Sequence, residues 1–256
     1  MSANSLTVTP LSGIPRVKAG DDLAALVIAA IERSGLGMQT ADIVVVAQKI
    51  VSKAEGRIRP LATVTVTAEA ERLATITAKD PRQVALVLEE STEILRAKKN
   101  VVVVAHRLGL VMANAGIDRS NVEQGPDGES VLLLPLDPDK SAADLRQRLA
   151  AHFGVSPGVV ITDSIGRAWR LGTVGHAIGA AGIPSIIDQR GQPDMNNRAL
   201  EVTETAFADS VASAAVLVMG EAAEGTPAAI VRGLAWTAPE KPARALVRPK
   251  AEDMFR

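Results

Sequence analysis

The apolar residues of this chain fall in short, β-branched runs, and that pattern limits it to folds built around a buried sheet. Asp42 to Val46, Asn100 to Ala105, Gly158 to Thr162 and Ala228 to Val231 each read as a strand dense in Val, Ile or Ala. Leu6 to Val8 and Val131 to Leu134 read as shorter strands, and Leu108 to Met112 as the hairpin partner of the Asn100 run. Segments with helical spacing stand between them. One runs over Leu23 to Arg33, with Asp21 as its N-cap and Gly35 as its stop. Others cover Thr67 to Ile76, a stretch from Pro81 capped by Asp80 and carrying Val84, Leu86, Val87 and Ile94, and Glu204 to Met219. Ser141 opens a further helix to about His152, with Asp144 completing a capping-box-like pair after a turn at Pro135 to Pro138. Pro126 to Gly128 reads as a loop. Strands do not alternate strictly with helices, so the expectation is an α+β fold of mixed sheets and not a doubly wound one. Residues 1–240 form the module. Residues 241–256 are a Pro-rich, charged tail, expected to be a loose extension or a partner-binding arm.

Composition narrows the function classes. With 256 residues and 47% hydrophobic content, a large core is within reach. Two Trp, three Phe and no Tyr mean that Ala, Val, Leu and Ile must build it. Trp169 is therefore conspicuous in the polar run GRAWR. A net charge of −1 argues against nucleic acid as an electrostatically driven partner. Without cysteine there is no disulfide, thiolate metal site or thiol nucleophile. The longest apolar runs, such as Ala24 to Ile31, are about eight residues, too short to span a bilayer. The start MSANSLTVTP has neither a basic region nor an apolar core, so no secretory signal is read and a cytoplasmic protein without membrane contact is expected.

Four strings carry candidate chemistry. In VVVAQKIVSKAEGR, a strand leads to Gln48 and then to Lys49, Lys53 and Arg57, spaced so that a helix would set them on one face. They suit an anion site or, equally, a solvated basic face beside Glu55. In NAGIDRSN, Asn114, Asp118, Ser120 and Asn121 offer oxygen donors suited to magnesium, though a polar turn satisfying its own backbone explains them as well. In ITDSIGR, Asp163 directly follows a strand, where ligands gather in sheets, and Ser164, Arg167 and Arg170 follow it. Ser164 suits a metal oxygen or phosphate donor and the arginines a phosphate or carboxylate clamp, and an Asp–Arg pair closing a turn accounts for them equally well. Glu221 stands just past a helix end at Met219, where a carboxylate opposes the helix dipole; it would be useful beside a metal, but an exposed loop acid is the plainer account.

Other chemistries are absent. There is no G-x-x-x-x-G-K-[ST] phosphate loop and no G-x-S-x-G elbow. His106, His152 and His176 lack metal-ligand spacing. Gly172, Gly175, Gly179 and Gly182 do not match a dinucleotide fingerprint and read as sites of close backbone packing or ligand approach.

Taken in order, the strings GIPRVKAGDDLAALV, KIVSKAEGR, LVLEES, NAGIDRSNV, LLLPLDPDKSA, VVITDSIGRAWR, GTVGHAIGAAGI, ALEVTETAFAD and VMGEAAEGTPAAIVRGL resemble the coenzyme F-420-0:L-glutamate ligase family, also called gamma-glutamyl ligase, over residues 9–234. The resemblance implies a GTP-dependent enzyme that joins L-glutamate to the lactyl carboxylate of a deazaflavin precursor, F-420-0, through an acyl phosphate, and that can extend a gamma-linked tail. It implies metal ligation by Asp118, Asp163, Ser164 and Glu221, with two Mg2+ or Mn2+ ions and K+ as a further cation. Catalytic roles fall to Asp118, Asp163 and Lys53. GTP contacts are implied for Ile14, Pro15, Arg16, Val17, Gln48, Lys49, Lys53, Asn121 and the loop after Met219. The implied fold is a two-part α+β protomer in an intertwined homodimer. Where the family has threonine this chain has Ser164, and where it has proline, Ala168. Asn196 and Asn197 replace an aromatic residue and a glycine. The chain is expected to be the ligase module alone. A related amide ligase with another acid or amine, and a non-catalytic dimeric nucleotide- or deazaflavin-binding protein, are the alternatives. Arg57, Arg167 and Arg170 receive no fixed role.

Overall fold

The computed structural model describes residues 5–122, 124 and 128–254. Its centre is a five-stranded sheet in the order β1 (Thr7–Pro10), β12 (Ala228–Arg232), β2 (Ile43–Ala47), β8 (Gly158–Gly166), β9 (Thr173–Ala181). Only β2 and β8 run parallel. Successive side chains leave a strand on opposite faces, and both faces are covered. Val44, Val46, Val159 and Ile161 pack with α1 (Leu23–Ser34), α2 (Gln48–Ala54) and α5 (Pro138–Phe153). Ile43, Val45, Val160 and Val231 pack with Ala208, Val211, Ala212 and Ala215 of α6 (Phe207–Met219). The glycines of β9 make this possible. A methyl at Gly179 would stand 2.2 Å from the Pro138 carbonyl oxygen of α5, and one at Gly175 would stand 2.6 Å from that of Ala212 in α6. Both helices lie directly on bare backbone.

A second part carries its own apolar clusters. It holds β3 (Ile58–Pro60) paired with β7 (Ser130–Leu132), the antiparallel sheet β4 (Ser91–Lys98), β5 (Val101–His106), β6 (Val111–Ala113), and the helices α3 (Ala68–Thr77) and α4 (Pro81–Glu89). A short ribbon, β10 (Ile187–Asp188) with β11 (Glu204–Thr205), completes the elements. The α+β expectation of mixed sheets holds.

Several expectations are corrected. Asp22, not Asp21, caps α1, accepting from the Ala25 N–H at 3.0 Å, while Asp21 accepts from the Lys18 N–H and closes the preceding turn. Ile94 belongs to β4, because α4 stops at Glu90 and Ser91 returns its hydroxyl to the Val87 carbonyl. Helix α5 starts at Pro138 under an Asp137 cap, since proline at the first helical position sacrifices no hydrogen bond. Asp144 pairs instead with Lys140. Helix α6 opens at Phe207, after the strand residues Glu204 and Thr205. Strand β8 continues to Gly166, so Asp163 and Ser164 lie within it and not past its end. The tail is docked, not loose. Lys241 exchanges backbone bonds with Ile183 and Ser185, Ala243 is 3% exposed with its N–H on Asp139, and Lys250 reaches Glu93 at 2.6 Å. Of the loop expected at Pro126 to Gly128, residues 126 and 127 lie outside the described residues.

Candidate active site

The parallel pair β2 and β8 ends at one edge of the sheet, and a cleft of about 600 Å³ opens there. Four separate segments are brought to it. Strand β2 passes without a loop into α2, which presents Gln48, Lys49 and Lys53. Strand β8 supplies Asp163 and Ser164. The segment after β6 supplies Asp118 and Asn121, and the loop leaving α6 supplies Met219 and Glu221. The turn Ile14, Pro15, Arg16, Val17 closes one side. Every residue that the family resemblance implies as a metal, nucleotide or catalytic candidate therefore lines one cleft, whereas Asn114, whose Oδ1 accepts from the Val102 N–H at 3.2 Å, and Ser120 are not among its lining residues.

Asp118 is placed by a ladder of backbone bonds. Its N–H donates to the Leu132 carbonyl at 3.0 Å and its carbonyl accepts from the Leu132 N–H at 2.8 Å. Leu132 in turn pairs with Ile58, just beyond α2. The carboxylate is half-buried. Lys49 Nζ sits 2.6 Å from Oδ2, the Ser120 hydroxyl donates to Oδ2 at 2.9 Å, and the Ser120 N–H donates to Oδ1 at 2.7 Å. Burial pushes its pKa up, but Lys49 and the Ser120 N–H outweigh burial and hold it below the ordinary value. Asp163 goes the other way. Removal from bulk water, with the Asp118 charge adding to it, pushes its pKa up to about 6 against the Ser164 N–H, Lys49 and Gln48. The two carboxylates are thus near enough to feel each other's charge.

Ser164 donates its hydroxyl to Glu221 Oε2 at 2.6 Å, tying β8 to the loop after α6. Lys53 Nζ donates to the Asn121 carbonyl at 2.7 Å, and Asn121 holds left-handed backbone at φ 57°. Gly220 has φ 76° and ψ 173°, a region open only to glycine, and a Cβ there would collide with the Glu224 carboxyl at 2.3 Å. That carboxyl accepts from the Ala222 N–H at 2.8 Å and pins the loop.

The sequence reading missed some lining residues and misplaced another. Thr162, Thr173, Val216 and Glu224 also line the cleft. Glu224 stands between Gly220 and Gly225, and that spacing was the available signal. Arg57 does not share the lysine face. Helix α2 ends before it, and its guanidinium donates to the Leu134 carbonyl at 2.9 Å and to Glu90 at 2.8 Å. Arg167, Arg170, Asn196 and Asn197 are not among the lining residues.

The donors facing the cleft are hard oxygens, with neither thiolate nor imidazole, which suits Mg2+ or Mn2+. Among the described residues no three acidic or histidine side chains stand close enough to hold a metal as they are. Asp118 instead carries the Lys49 ammonium, a stand-in cation, and Glu221 carries the Ser164 hydroxyl. The donor chemistry fits a divalent cation once these internal partners give way.

Carboxylates and lysines gathered at one sheet edge make this the kind of polar cleft that an enzyme acting on anionic substrates uses. The family is shown by comparison. A family model for F420-0:Gamma-glutamyl ligase matches residues 13–233, and the chain belongs to that family of ligases. It is 43% identical over 257 residues, 98% of each chain, to the coenzyme F420:L-glutamate ligase of Methanopyrus kandleri. It is 43% identical to the enzyme of that name from Methanothermobacter thermautotrophicus over 253 residues, 98% of this chain and 99% of the relative. For the one from Archaeoglobus fulgidus the identity is 43% over 249 residues, 97% of this chain and 96% of the relative.

Proposed function

We propose that this chain is a GTP-dependent ligase that joins L-glutamate to the carboxylate of F-420-0. The observation that carries this reading is the convergence of Asp118, Asp163, Ser164, Glu221, Lys49 and Lys53 on one cleft from segments far apart in the chain. A carboxylate oxygen of the acceptor attacks the γ-phosphorus of GTP, the bond to the bridging oxygen breaks, and GDP leaves. The glutamate amine then attacks the acyl carbon. A C–N bond forms, phosphate departs, and the nitrogen loses a proton that the phosphate can carry.

Asp118, Asp163, Ser164 and Glu221 would hold one or two Mg2+ or Mn2+ ions, which when bound neutralise charge on the phosphoryl oxygens. Lys49 and Lys53 oppose the phosphate charge from α2. The Ile14 to Val17 turn and Asn121 position the nucleoside. Val216 and Met219 form an apolar wall that keeps water from the acyl phosphate. Each glutamate added carries a free γ-carboxylate, chemically the next acceptor, so tail extension needs no new chemistry.

The same reading includes a homodimer. Exposed apolar side chains support it: Trp169 and Leu171 at the β8–β9 turn, Met195 and Val202 between β10 and β11, and Leu217 on α6, the last 86% exposed. Light scattering behind a sizing column would return twice the chain mass, and the mass of a single chain would remove the dimer.

The activity test is mass spectrometry of the product formed from F-420-0, GTP, L-glutamate and Mg2+. The expected result is a glutamylated product with equal amounts of GDP and phosphate. Product formed with no GTP consumed would refute the mechanism, and GTP cleaved without an amide would refute the substrate pair.

A further inference from the structure

Both oxygens of Asp118 are taken. Oδ2 receives Lys49 Nζ at 2.6 Å and the Ser120 hydroxyl at 2.9 Å, and Oδ1 receives the Ser120 N–H at 2.7 Å. Lys49 is also bonded to the Ser120 hydroxyl at 2.8 Å, so its ammonium is anchored twice on the 118–120 turn. That places a monovalent positive charge where a divalent cation would need a free oxygen, and two like charges at such a distance repel. Lys53, one turn further along α2, behaves differently. Its ammonium donates to a neutral backbone oxygen, that of Asn121. Glu221 is met by a hydroxyl, which brings no opposing charge. Asp118 is thus a candidate cation ligand already held by a full positive charge.

We propose that Lys49 is a resident cation that keeps the metal position closed until an incoming polyphosphate draws it away. The proposal rests on the metal-and-nucleotide reading above and deepens it. Lysine suits the task, being a compact charge on a flexible four-carbon stem, able to leave one anion for another without moving the helix. Its side chain is 29% exposed, so the exchange needs no unpacking of the core. A phosphate offers Lys49 a stronger anion than Asp118, and the vacated carboxylate then accepts the divalent ion. Metal and nucleotide thereby help each other to bind, and by linkage each raises the affinity of the other equally. The free protein is left with weak metal affinity until a polyphosphate binds.

The test is binding of Mn2+ alone to nucleotide-free protein, read as protein-bound Mn2+ by water-proton relaxation. Lys49→Met removes the charge and keeps the stem, and should bind Mn2+ about tenfold more tightly than the wild type, within the usual span of coupling between sites. Lys49→Arg keeps the charge and should stay close to the wild type, which separates loss of the cation from general loosening of the turn. If Lys49→Met binds Mn2+ no more tightly than the wild type, while the wild type takes up Mn2+ in the presence of GDP, the switch is wrong and the metal site stands. If the wild type takes up no Mn2+ even with GDP, the metal reading falls and the switch with it.

Discussion

Asp163→Asn should stabilise the metal-free protein while abolishing turnover. Asp163 is a carboxylate withdrawn from water, and its pKa is pushed from an ordinary 3.8 up to about 6. The folded chain therefore holds the proton more tightly than the unfolded one. Between those values unfolding releases a proton, so stability falls as pH rises through the window. At pH 7.5 the whole difference has been lost. Two pKa units at about 1.4 kcal/mol each make the ionised carboxylate cost roughly 2–3 kcal/mol. Asparagine has nearly the same shape and cannot ionise. In chelator at pH 7.5 the variant should melt higher than the wild type, by roughly 5 °C for a chain of this size. Near pH 4 the advantage should vanish. The assay is thermal and urea unfolding across pH 4 to 8 in EDTA, with turnover measured separately in Mg2+. A variant that is less stable than the wild type at pH 7.5, or a gap that does not change with pH, would refute the electrostatic argument. Full activity at saturating Mg2+ would refute the role of Asp163 in the site.

Other outcomes follow from named contacts. Burial pushes Glu90 up, but His106, Arg57 and Arg107 outweigh it and hold the carboxyl at about 2. Its contribution is present above its ordinary 4.5 and lost as pH falls towards 2. Glu90→Gln should therefore cost about 3 kcal/mol by urea titration at pH 7, and much less at pH 2.5. An equal cost at both values would assign it to packing instead. Lys53→Ala should weaken GTP binding more than glutamate binding by calorimetry, and an unchanged GTP affinity would remove Lys53 from the site. Gly179→Ala sets a methyl against the Pro138 carbonyl and should lower stability by at least about 1–3 kcal/mol by urea melts, with unaltered melts showing that α5 can retreat.

Much of the scaffold was legible because its signals are local. Asp80 with Pro81, Gly35 and the β-branched runs each fix an element within a few residues, and each lies where read. Errors arose where a local signal had two meanings. Pro138 marks a turn or a first helical residue, and only the Asp137 cap distinguishes them. The polar DSIG run resembles a strand exit, yet pairing with β9 carries it on to Gly166. The tail's composition concealed Ala243, whose burial depends on Asp139 accepting its N–H. Arg57 was grouped with the lysines by spacing, but its partner Glu90 lies on another helix's end, beyond any periodicity. The site strings were visible individually. Their meeting at one edge is a matter of topology, set by β2 beside β8 and by Asp118 bonded to Leu132.

Glu90 and Asp163 together show how scaffold and site differ in physical terms. Both are acids withdrawn from water. Around Glu90 the fold gathers Arg57 at 2.8 Å, Arg107 at 2.9 Å and His106 at 3.3 Å, and the carboxyl ends far below its ordinary pKa. Nothing remains for a ligand to add. Around Asp163 the compensation is incomplete. The Lys49 ammonium, which favours its charged form, is engaged by Asp118, and the neighbouring carboxylate adds repulsion. A chain shaped for stability alone would match this acid as it matches Glu90, or replace it with an amide. The shortfall at Asp163 is positive charge; under the proposed metal reading a divalent cation would supply it, and the cost of the unmatched acid would return as affinity for the ion. On this argument chelator should lower the stability of the wild type relative to Mn2+-loaded protein, and should do so less in Asp163→Asn. Equal sensitivity of the two to chelator would mean that the unmatched charge serves something other than a cation.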